Sequence, residues 1–314
     1  MLIVTGGAGF IGSNLVHALN ARGRDDILVV DDLTDGRKFA NLAGARIADY
    51  LDRAQFREMI AGGADFGRVE AVFHQGACTD TTEWNGQYML DQNFAVSKAV
   101  FAWCQARAVP LIYASSAAVY GGGDDFREDA PDPRPLNVYG WSKLLFDQWL
   151  ARQAGRTARV VGFRYFNVYG PREAHKGRMA SVVHHFDRQL AETGTVRLFG
   201  ASHGVGDGEH RRDFVFVGDV VAVNLWALES GRAEGVYNVG TGTSRTFNDL
   251  ARAVIAVRGA GSIAYIPMPG DLADAYQAFT EADLARLRRD GYAADFLPIE
   301  DGVRRTLGAD GPPR

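Results

Sequence analysis

Short apolar runs alternate with longer amphipathic stretches through the first half of the chain. Such unbroken runs are typical of strands buried on both faces of a parallel sheet, and we predict strands at Leu2–Thr5, Ile27–Val30, Ala71–His74, Leu111–Ala114 and Val160–Phe163. The stretches between them predict crossover helices at Ile11–Arg22, Tyr88–Arg107 and Tyr139–Gln153. This order predicts an α/β fold with a doubly wound parallel sheet, which binds ligands at the carboxyl ends of its strands.

The rhythm weakens after residue 166, where polar loops lengthen. Asp213–Val217 and Val220–Leu228 predict one more strand and helix of the sheet domain, and Thr246 and Thr280, each followed by Asp three residues later, predict helix N-termini. We therefore expect a sheet domain of residues 1–166 and 211–236, and a smaller C-terminal α/β substrate domain of residues 167–210 and 237–314.

Composition excludes several classes of protein. The 314 residues are 46% hydrophobic and carry a formal net charge of −4, so we expect a sizeable core and no nucleic-acid partner. The chain begins without a cationic segment, and no apolar run approaches the roughly 18 residues that span a bilayer. Cys78 and Cys104 lack metal-ligand spacing. We expect a cytoplasmic protein with no membrane contact and no metal.

Three glycines join the first predicted strand to the first predicted helix. Gly6, Gly9 and Gly12 would allow a tight turn, close approach of a pyrophosphate and close packing of helix on strand. Asp31 ends the second strand 19 residues after Gly12, where a carboxylate can bind the adenosine ribose. This combination predicts a Rossmann dinucleotide site.

The type of dinucleotide stays open at this level. Asp31 favours NAD, whereas Arg37-Lys38 could pair with the 2′-phosphate of NADP, and Arg53 could add a further cation. Small residues after the strand that ends at His74 would let the cofactor pass: Gln75, Gly76, Ala77, Cys78 and Thr79.

Tyr139 and Lys143 predict the reaction centre. Four residues apart on a helix, they lie one turn apart on the same face. We expect the ammonium to lower the pKa of the phenol, so that Tyr139 can act as a base. Ser116 lies 23 residues earlier, at the end of a predicted strand, where its hydroxyl could bind the reacting oxygen.

These motifs resemble the extended short-chain dehydrogenase/reductase family. Arg164–Arg172 and Arg212–Val220 are similar to its sugar-nucleotide branch. Further segments resemble the ADP-L-glycero-D-manno-heptose 6-epimerases of that branch, namely Asp31 with Lys38-Phe39, Ile47–Tyr50, Gly76–Cys78, Thr81–Trp84, His175–Gly177 and Tyr276–Thr280. The resemblance implies an isomerase that inverts C6″ of an ADP-heptose for the lipopolysaccharide inner core. It also implies a homo-oligomer and suggests a pentamer.

The resemblance assigns roles to individual residues. It implies bound NADP, with Tyr139 acting on one face of a transient ketone and Lys176 on the other. The implied NADP contacts are Gly6, Gly9, Phe10, Ile11, Gly12, Asp31, Asp32, Lys38, Arg53, Gln75, Gly76, Ala77, Cys78, Thr79, Gln92, Lys143, Val168 and Lys176. The implied ADP-sugar contacts are Asn167, Arg178, His185, Phe199, Gly200, Ala201, Ser202, Arg212 and Tyr276.

The sequence departs from the pattern of these epimerases at two places, and three other functions have to be weighed. Arg178 stands where a small hydroxyl residue is expected, and the loop Gly200–His210 is longer than usual. A 4,6-dehydratase would need an acid pair where this chain has Ala117-Ala118. A UDP-hexose 4-epimerase and a non-catalytic NADP-sensing protein on the same fold remain as alternatives.

Overall fold

The central sheet has seven parallel strands. The computed structural model describes residues 1–270 and 276–308. The strands are β1 (Leu2–Thr5), β2 (Ile27–Asp31), β3 (Asp49–Asp52), β4 (Ala71–His74), β5 (Leu111–Ser116), β6 (Val160–Tyr165) and β11 (Gly235–Val239). Their order across the sheet is β11-β6-β5-β4-β1-β2-β3. The predicted fold class, a doubly wound parallel sheet, is confirmed.

Ten α-helices lie in the described part of the chain. They are α1 (Phe10–Ala21), α2 (Arg53–Ala61), α3 (Gly86–Met89), α4 (Val96–Ala106), α5 (Val138–Ala151), α6 (Val182–Thr193), α7 (Val217–Ser230), α8 (Phe247–Arg258), α9 (Ala285–Arg289) and α10 (Ile299–Thr306). A π-helical segment, Leu90–Ala95, joins α3 to α4. The helix predicted at Tyr88–Arg107 therefore exists, with a wider turn near its start.

Helices cover both faces of the sheet because alternate strand residues point to opposite faces. Leu2 and Val4 of β1 pack with α1 and α7. Ile3, between them, packs on the other face with α2, α4 and α5. Residues of β1, β2 and β4 are all buried, as expected for a sheet with no solvent-facing side.

The second half of the chain builds a smaller layer beside the carboxyl edge of the sheet. It contains three two-stranded pairs formed by β7 (Asn167–Tyr169) with β10 (Phe214–Phe216), β8 (Thr195–Phe199) with β13 (Ser262–Ile266), and β9 (Arg211–Arg212) with β12 (Arg245–Thr246). Helices α6, α8 and α10 pack over β8 and β10 in a separate apolar cluster. The division into two domains stays a prediction, and β11 lies across its expected boundary at residue 236.

Two local expectations differ from the structure. The strand predicted within Asp213–Val217 is β10, which pairs with β7 outside the seven-stranded sheet. Thr246 begins α8 with the expected capping box, but no helix begins at Thr280. Thr280 instead donates its backbone N–H to Arg211 beside β9, and α9 starts five residues later. Within the described residues, no helix is long and apolar enough to cross a membrane.

Candidate active site

The glycine loop packs tightly against the end of β4. Gly6 has a φ of +68°, and a Cβ there would lie 2.6 Å from the backbone nitrogen of Gly76. A Cβ on Gly12 would lie only 2.1 Å from the carbonyl oxygen of Gly6. Gly9 donates its N–H to that same carbonyl, at 2.9 Å. No side chain fits at Gly6 or Gly12, so the first turn of α1 is open to a phosphate group.

Asp31, at the end of β2, is buried and already bonded within its own loop. It accepts hydrogen bonds from the backbone N–H groups of Ala8 and Asp32, each at 2.7 Å, and from the Lys38 ammonium. Lys38 also donates to the carbonyl oxygen of Asp32 at 2.8 Å. The carboxylate is thus neutralised by Lys38 and is poorly placed to be the sole recognition group for a ribose hydroxyl pair.

Arg53 is a second cation close to Asp31 and Lys38, and all three line one cavity. Its guanidinium lies 3.1 Å from Asp32 and 2.8 Å from the side-chain oxygen of Gln92. Arg37, by contrast, is 88% exposed and binds Asp35 in its own turn. The cavity, about 400 Å³, also contains other predicted cofactor residues, namely Gly6, Asp31, Asp32, Lys38, Gly76, Ala77 and Cys78.

A neighbouring cavity of about 330 Å³ contains all four predicted catalytic residues. Ser116 ends β5, Tyr139 and Lys143 lie in the first turns of α5, and Lys176 comes from the loop after β7. Asn137 caps α5 by accepting a hydrogen bond from Gly140 at 2.8 Å. Other predicted residues that line this cavity are Phe10, Ile11, Gln75, Ala77, Thr79, Asn167 and Val168.

The two residues on α5 have perturbed pKa values. Burial raises the pKa of the Tyr139 phenol, and a hydrogen bond with Ser116 acts in the opposite direction. Burial lowers the pKa of Lys143 to about 8, against the effect of Asp147. The Lys143 ammonium donates to the carbonyl oxygen of Ala114 at 2.9 Å. Desolvation thus outweighs the effect of Ser116 on Tyr139, and the expectation that Lys143 lowers the pKa of Tyr139 stays a prediction.

Lys176 approaches the cavity from a short 3₁₀ segment, Ala174–Met179. Its ammonium lies 5.4 Å from the centre of the Phe10 ring. Burial lowers its pKa, against the effect of Glu173. Gly177 follows with a φ of 53° and a ψ of −122°, a backbone conformation that favours glycine. Lys176 can therefore be deprotonated more easily than an ordinary lysine.

Arg178, on the other side of Gly177, does not line the cavity. Its guanidinium is 69% exposed and pairs with Asp80 at 2.7 Å. Because the loop carrying Asp80 also contributes Thr79 and Thr81 to the cavity that contains Lys176, this ion pair joins two loops that line it. The expected contact between Arg178 and the substrate stays a prediction that this geometry does not favour.

A third cavity of about 420 Å³ shares Asn167 with the catalytic one. It contains five predicted substrate residues, which are Asn167, His185, Phe199, Arg212 and Tyr276. Arg212 is 7% exposed, lies 4.8 Å from the centre of the Tyr276 ring and donates to the carbonyl oxygen of Arg211 at 2.9 Å. A buried guanidinium that lines a cavity is well suited to bind a diphosphate.

Three predicted substrate residues form hydrogen bonds within the protein instead, Gly200 to strand β13 and the other two within their own loop. Gly200 donates its N–H to Ile266 at 2.8 Å, Ala201 donates to Asp207 at 2.7 Å, and the Ser202 hydroxyl lies 3.0 Å from His210. These donors are occupied, so their contact with a substrate stays a prediction.

The sequence prediction missed residues that support the site. His210 and Phe247 line the third cavity, although His210 looked like the end of a plain loop. Asn93, in the π-helical segment, pairs with both backbone polar groups of Cys78 and donates to Ser142 on α5 at 3.0 Å. The signal that could have indicated this role of Asn93 was an Asn at a buried position of a helical pattern. No group of His, Cys, Asp or Glu in the described residues could hold a metal ion.

Comparison with known proteins agrees with this geometry. The family model of the NAD dependent epimerase/dehydratase family matches residues 2–240. The chain belongs to that family. It is 59% identical, over 98% of its length and 97% of the relative's, to an ADP-L-glycero-D-manno-heptose-6-epimerase of Alkalilimnicola ehrlichii. The predicted resemblance is confirmed.

Solved structures of nucleotide-sugar epimerases have the same fold. The ADP-L-glycero-D-manno-heptose-6-epimerase of Helicobacter pylori matches with a TM-score of 0.84 and 29% identity, covering 98% of this chain and 94% of that one. A Thermus thermophilus UDP-glucose 4-epimerase in complex with NAD matches with a TM-score of 0.80 and 30% identity, covering 98% and 97%.

Proposed function

We propose that this chain is an ADP-heptose 6-epimerase. It would convert ADP-D-glycero-D-manno-heptose to the L-glycero epimer by transient oxidation at C6″, for lipopolysaccharide inner-core heptose. The observation that carries the proposal is that Tyr139 and Lys176 reach one cavity from two different elements, helix α5 and the loop after β7. The 59% identity to an enzyme of that name supports the same substrate.

The residues present fit a nicotinamide dinucleotide. The loop at Gly6 and Gly12 leaves room for a pyrophosphate at the start of α1. We propose NADP rather than NAD, because Lys38 neutralises Asp31 and Arg53 lies close by, so the cavity offers two cations to a 2′-phosphate. When bound, the nicotinamide would take a hydride from C6″ and return it, and its positive charge would favour the Tyr139 phenolate.

The protein's own residues would move the protons. Tyr139 would remove the proton of the C6″ hydroxyl from one side, with Ser116 holding that oxygen by hydrogen bonding. Lys143 would orient the cofactor ribose from the next turn of α5. After the ketone turns in the cavity, Lys176 would supply a proton to the oxygen on the opposite side. The lowered pKa of Lys176 suits a group that both gives and takes a proton.

The ADP group would occupy the third cavity. Arg212 would bind the diphosphate, with Asn167 at the junction with the catalytic cavity. The rings of Phe199 and Tyr276 meet edge to face, with their centres 6.1 Å apart, and both would offer apolar surface to the adenine. His185 lines the same cavity. We also propose that the protein acts in the cytoplasm as a homo-oligomer, as the resemblance implies.

Stereochemistry separates this proposal from its rivals. Purified protein is incubated with ADP-D-glycero-D-manno-heptose and, separately, with UDP-glucose, and the sugar protons are followed by NMR. We expect inversion at C6″ of the heptose and no change in UDP-glucose. Inversion at C4″ of UDP-glucose would support the 4-epimerase alternative, and cofactor binding without any turnover would support the non-catalytic one.

The Tyr139→Phe variant tests the chemical role. It should retain its cofactor and lose about 10²–10⁴-fold in rate, the range for removing a general acid or base. Normal turnover by this variant would refute the proposed mechanism.

A further inference from the structure

Glu173 is a buried carboxylate in the loop that carries Lys176. It is 2% exposed, less than any other acidic residue in the described part of the chain except Asp213. It lies three residues before Lys176, and the Lys176 backbone N–H donates to the Glu173 carbonyl at 2.9 Å. Burying a carboxylate is costly unless hydrogen bonds compensate it.

The carboxylate joins the two ends of the loop. One oxygen accepts from the N–H of Gly170 at 3.2 Å and from the hydroxyl of Ser181 at 2.6 Å, and the other accepts from the N–H of Ser181. Gly170 follows β7, and Ser181 caps α6. A single side chain thus fixes the positions at which the loop leaves the strand and enters the helix.

Other contacts also hold this loop, among them the ion pair between Arg178 and Asp80. Asn14 on α1 donates to the carbonyl of Pro171 and accepts from Arg172, each at 2.9 Å. His175 lies 2.9 Å from the Asn41 amide. The Lys176 ammonium lies beside the ring of Phe10, and no salt bridge holds it among residues 1–270 and 276–308. Its position therefore depends on the backbone of the loop.

We propose that Glu173 is the positioning residue for Lys176, and that it keeps the ammonium on its side of the ketone by tying Gly170 to Ser181. The inference rests on the proposed function, in which Lys176 serves one face and Tyr139 the other. Tyr139 lies on a capped helix that Glu173 does not contact. Loss of Glu173 should therefore harm one proton transfer and spare the other.

Glu173→Gln is the sharpest substitution. Glutamine has almost the same shape, but its NH₂ group would face one of the N–H or O–H groups that now donate hydrogen bonds to the carboxylate. Ser181→Ala is a milder second variant, since it removes only the hydroxyl. Asp219→Asn is the matched control, because Asp219 is a partly buried carboxylate that accepts from Leu297 at 2.8 Å and belongs to another segment.

The test uses both epimers of the substrate. Each variant, with its cofactor bound, is mixed with the D-glycero or the L-glycero epimer in a single turnover, and the absorbance of reduced nicotinamide is recorded. Lys176→Met first identifies the epimer whose oxidation depends on Lys176. We expect Glu173→Gln to slow oxidation of that epimer by about 10–10²-fold, the size of a small misplacement of a catalytic group. The other epimer should react at the normal rate, and Asp219→Asn should slow neither.

A second readout does not depend on turnover. Trypsin cleaves a locally unfolded chain faster than a folded one. We therefore expect faster cleavage after Lys176 or Arg178 in Glu173→Gln and Ser181→Ala, and an unchanged rate in Asp219→Asn. Mass spectrometry identifies the cut.

The possible failures are distinguishable. If Lys176→Met slows both epimers equally, the two-sided function itself fails. If Lys176→Met discriminates between the epimers but Glu173→Gln and Ser181→Ala do not, the positioning role of Glu173 is overturned. Equal slowing of both epimers by Glu173→Gln would also overturn it, since a general loss of structure affects both half-reactions.

Discussion

Replacing Asp147 with Asn would remove a buried charge from helix α5, which carries Tyr139 and Lys143. Asp147 lies on α5, one turn after Lys143, and is 6% exposed. It accepts hydrogen bonds from Tyr113 at 2.9 Å, from Ser115 at 3.0 Å and from Arg164 at 3.0 Å. These partners come from β5 and β6, so one carboxylate joins α5 to two strands of the sheet.

The expected loss in stability follows from what remains. Arg164 would stay charged and buried, with its side chain 7% exposed and with Tyr120 and the carbonyl of Glu128 as its other partners, at 3.0 and 3.2 Å. Breaking a buried ion pair by removing one partner costs about 3–5 kcal/mol. Asparagine keeps one acceptor oxygen, so we expect about 3 kcal/mol, at the lower end of that range.

Urea unfolding followed by circular dichroism measures this loss. Asp125→Asn is the matched control, because Asp125 pairs with Arg127 in the same way but the side chains are 39% and 58% exposed. We expect little change in its unfolding midpoint, since exposed ion pairs contribute little. Similar midpoints for the two variants would refute the view that the Asp147–Arg164 pair supports the catalytic helix.

Two further predictions concern the cofactor and pH. Lys38→Ala should weaken NADP binding by about 1.5–3 kcal/mol, the strength of a hydrogen bond to a charged group, and should weaken NAD binding much less. Titration calorimetry measures both affinities, and an equal loss of affinity for NADP and NAD would argue against recognition of a 2′-phosphate. Lys143 has a pKa of about 8 in the fold against an ordinary 10.5, so kcat/KM should fall as pH rises through about 8, where the helpful ammonium is lost. The free energy of unfolding should change in the opposite sense, because between about pH 8 and 10.5 the unfolded chain holds a proton that the folded chain has released. The wild type should therefore gain stability relative to Lys143→Met as pH rises over that range. Parallel plots of unfolding free energy against pH for the two proteins would contradict the lowered pKa of Lys143.

The strands could be predicted well where their residues are apolar. β1 and β4 match the predicted runs to the residue. β5 and β6 each extend two residues further than predicted, through Ser115-Ser116 and Arg164-Tyr165. Hydrophobic periodicity stops at such polar residues, yet Asp147 satisfies Ser115 and Arg164 by hydrogen bonding. The missing information was a long-range partner on α5.

Local patterns also failed where tertiary contacts override them. Thr246 and Thr280 are each followed by Asp at the third position, but only Thr246 caps a helix. Thr280 bonds to the edge of β9 through its backbone, which fixes an extended chain there. The capping pattern is the same at both positions, so a single-sequence prediction could not separate them.

The same contrast applies to the candidate site. Tyr139 and Lys143 could be predicted because a helix repeats every 3.6 residues, which brings positions four apart to one face. Lys176 has no such periodic signal, and without the resemblance it is an ordinary loop lysine. What brings it to the cavity is the loop that Glu173 closes and that Gly177 reverses. A Tyr-x-x-x-Lys pair on this fold serves many oxidations of sugar hydroxyls, so the second proton-transfer group is what would make the reaction an inversion at C6″. In the proposed function, the loop from Gly170 to Ser181, more than helix α5, would therefore determine this outcome.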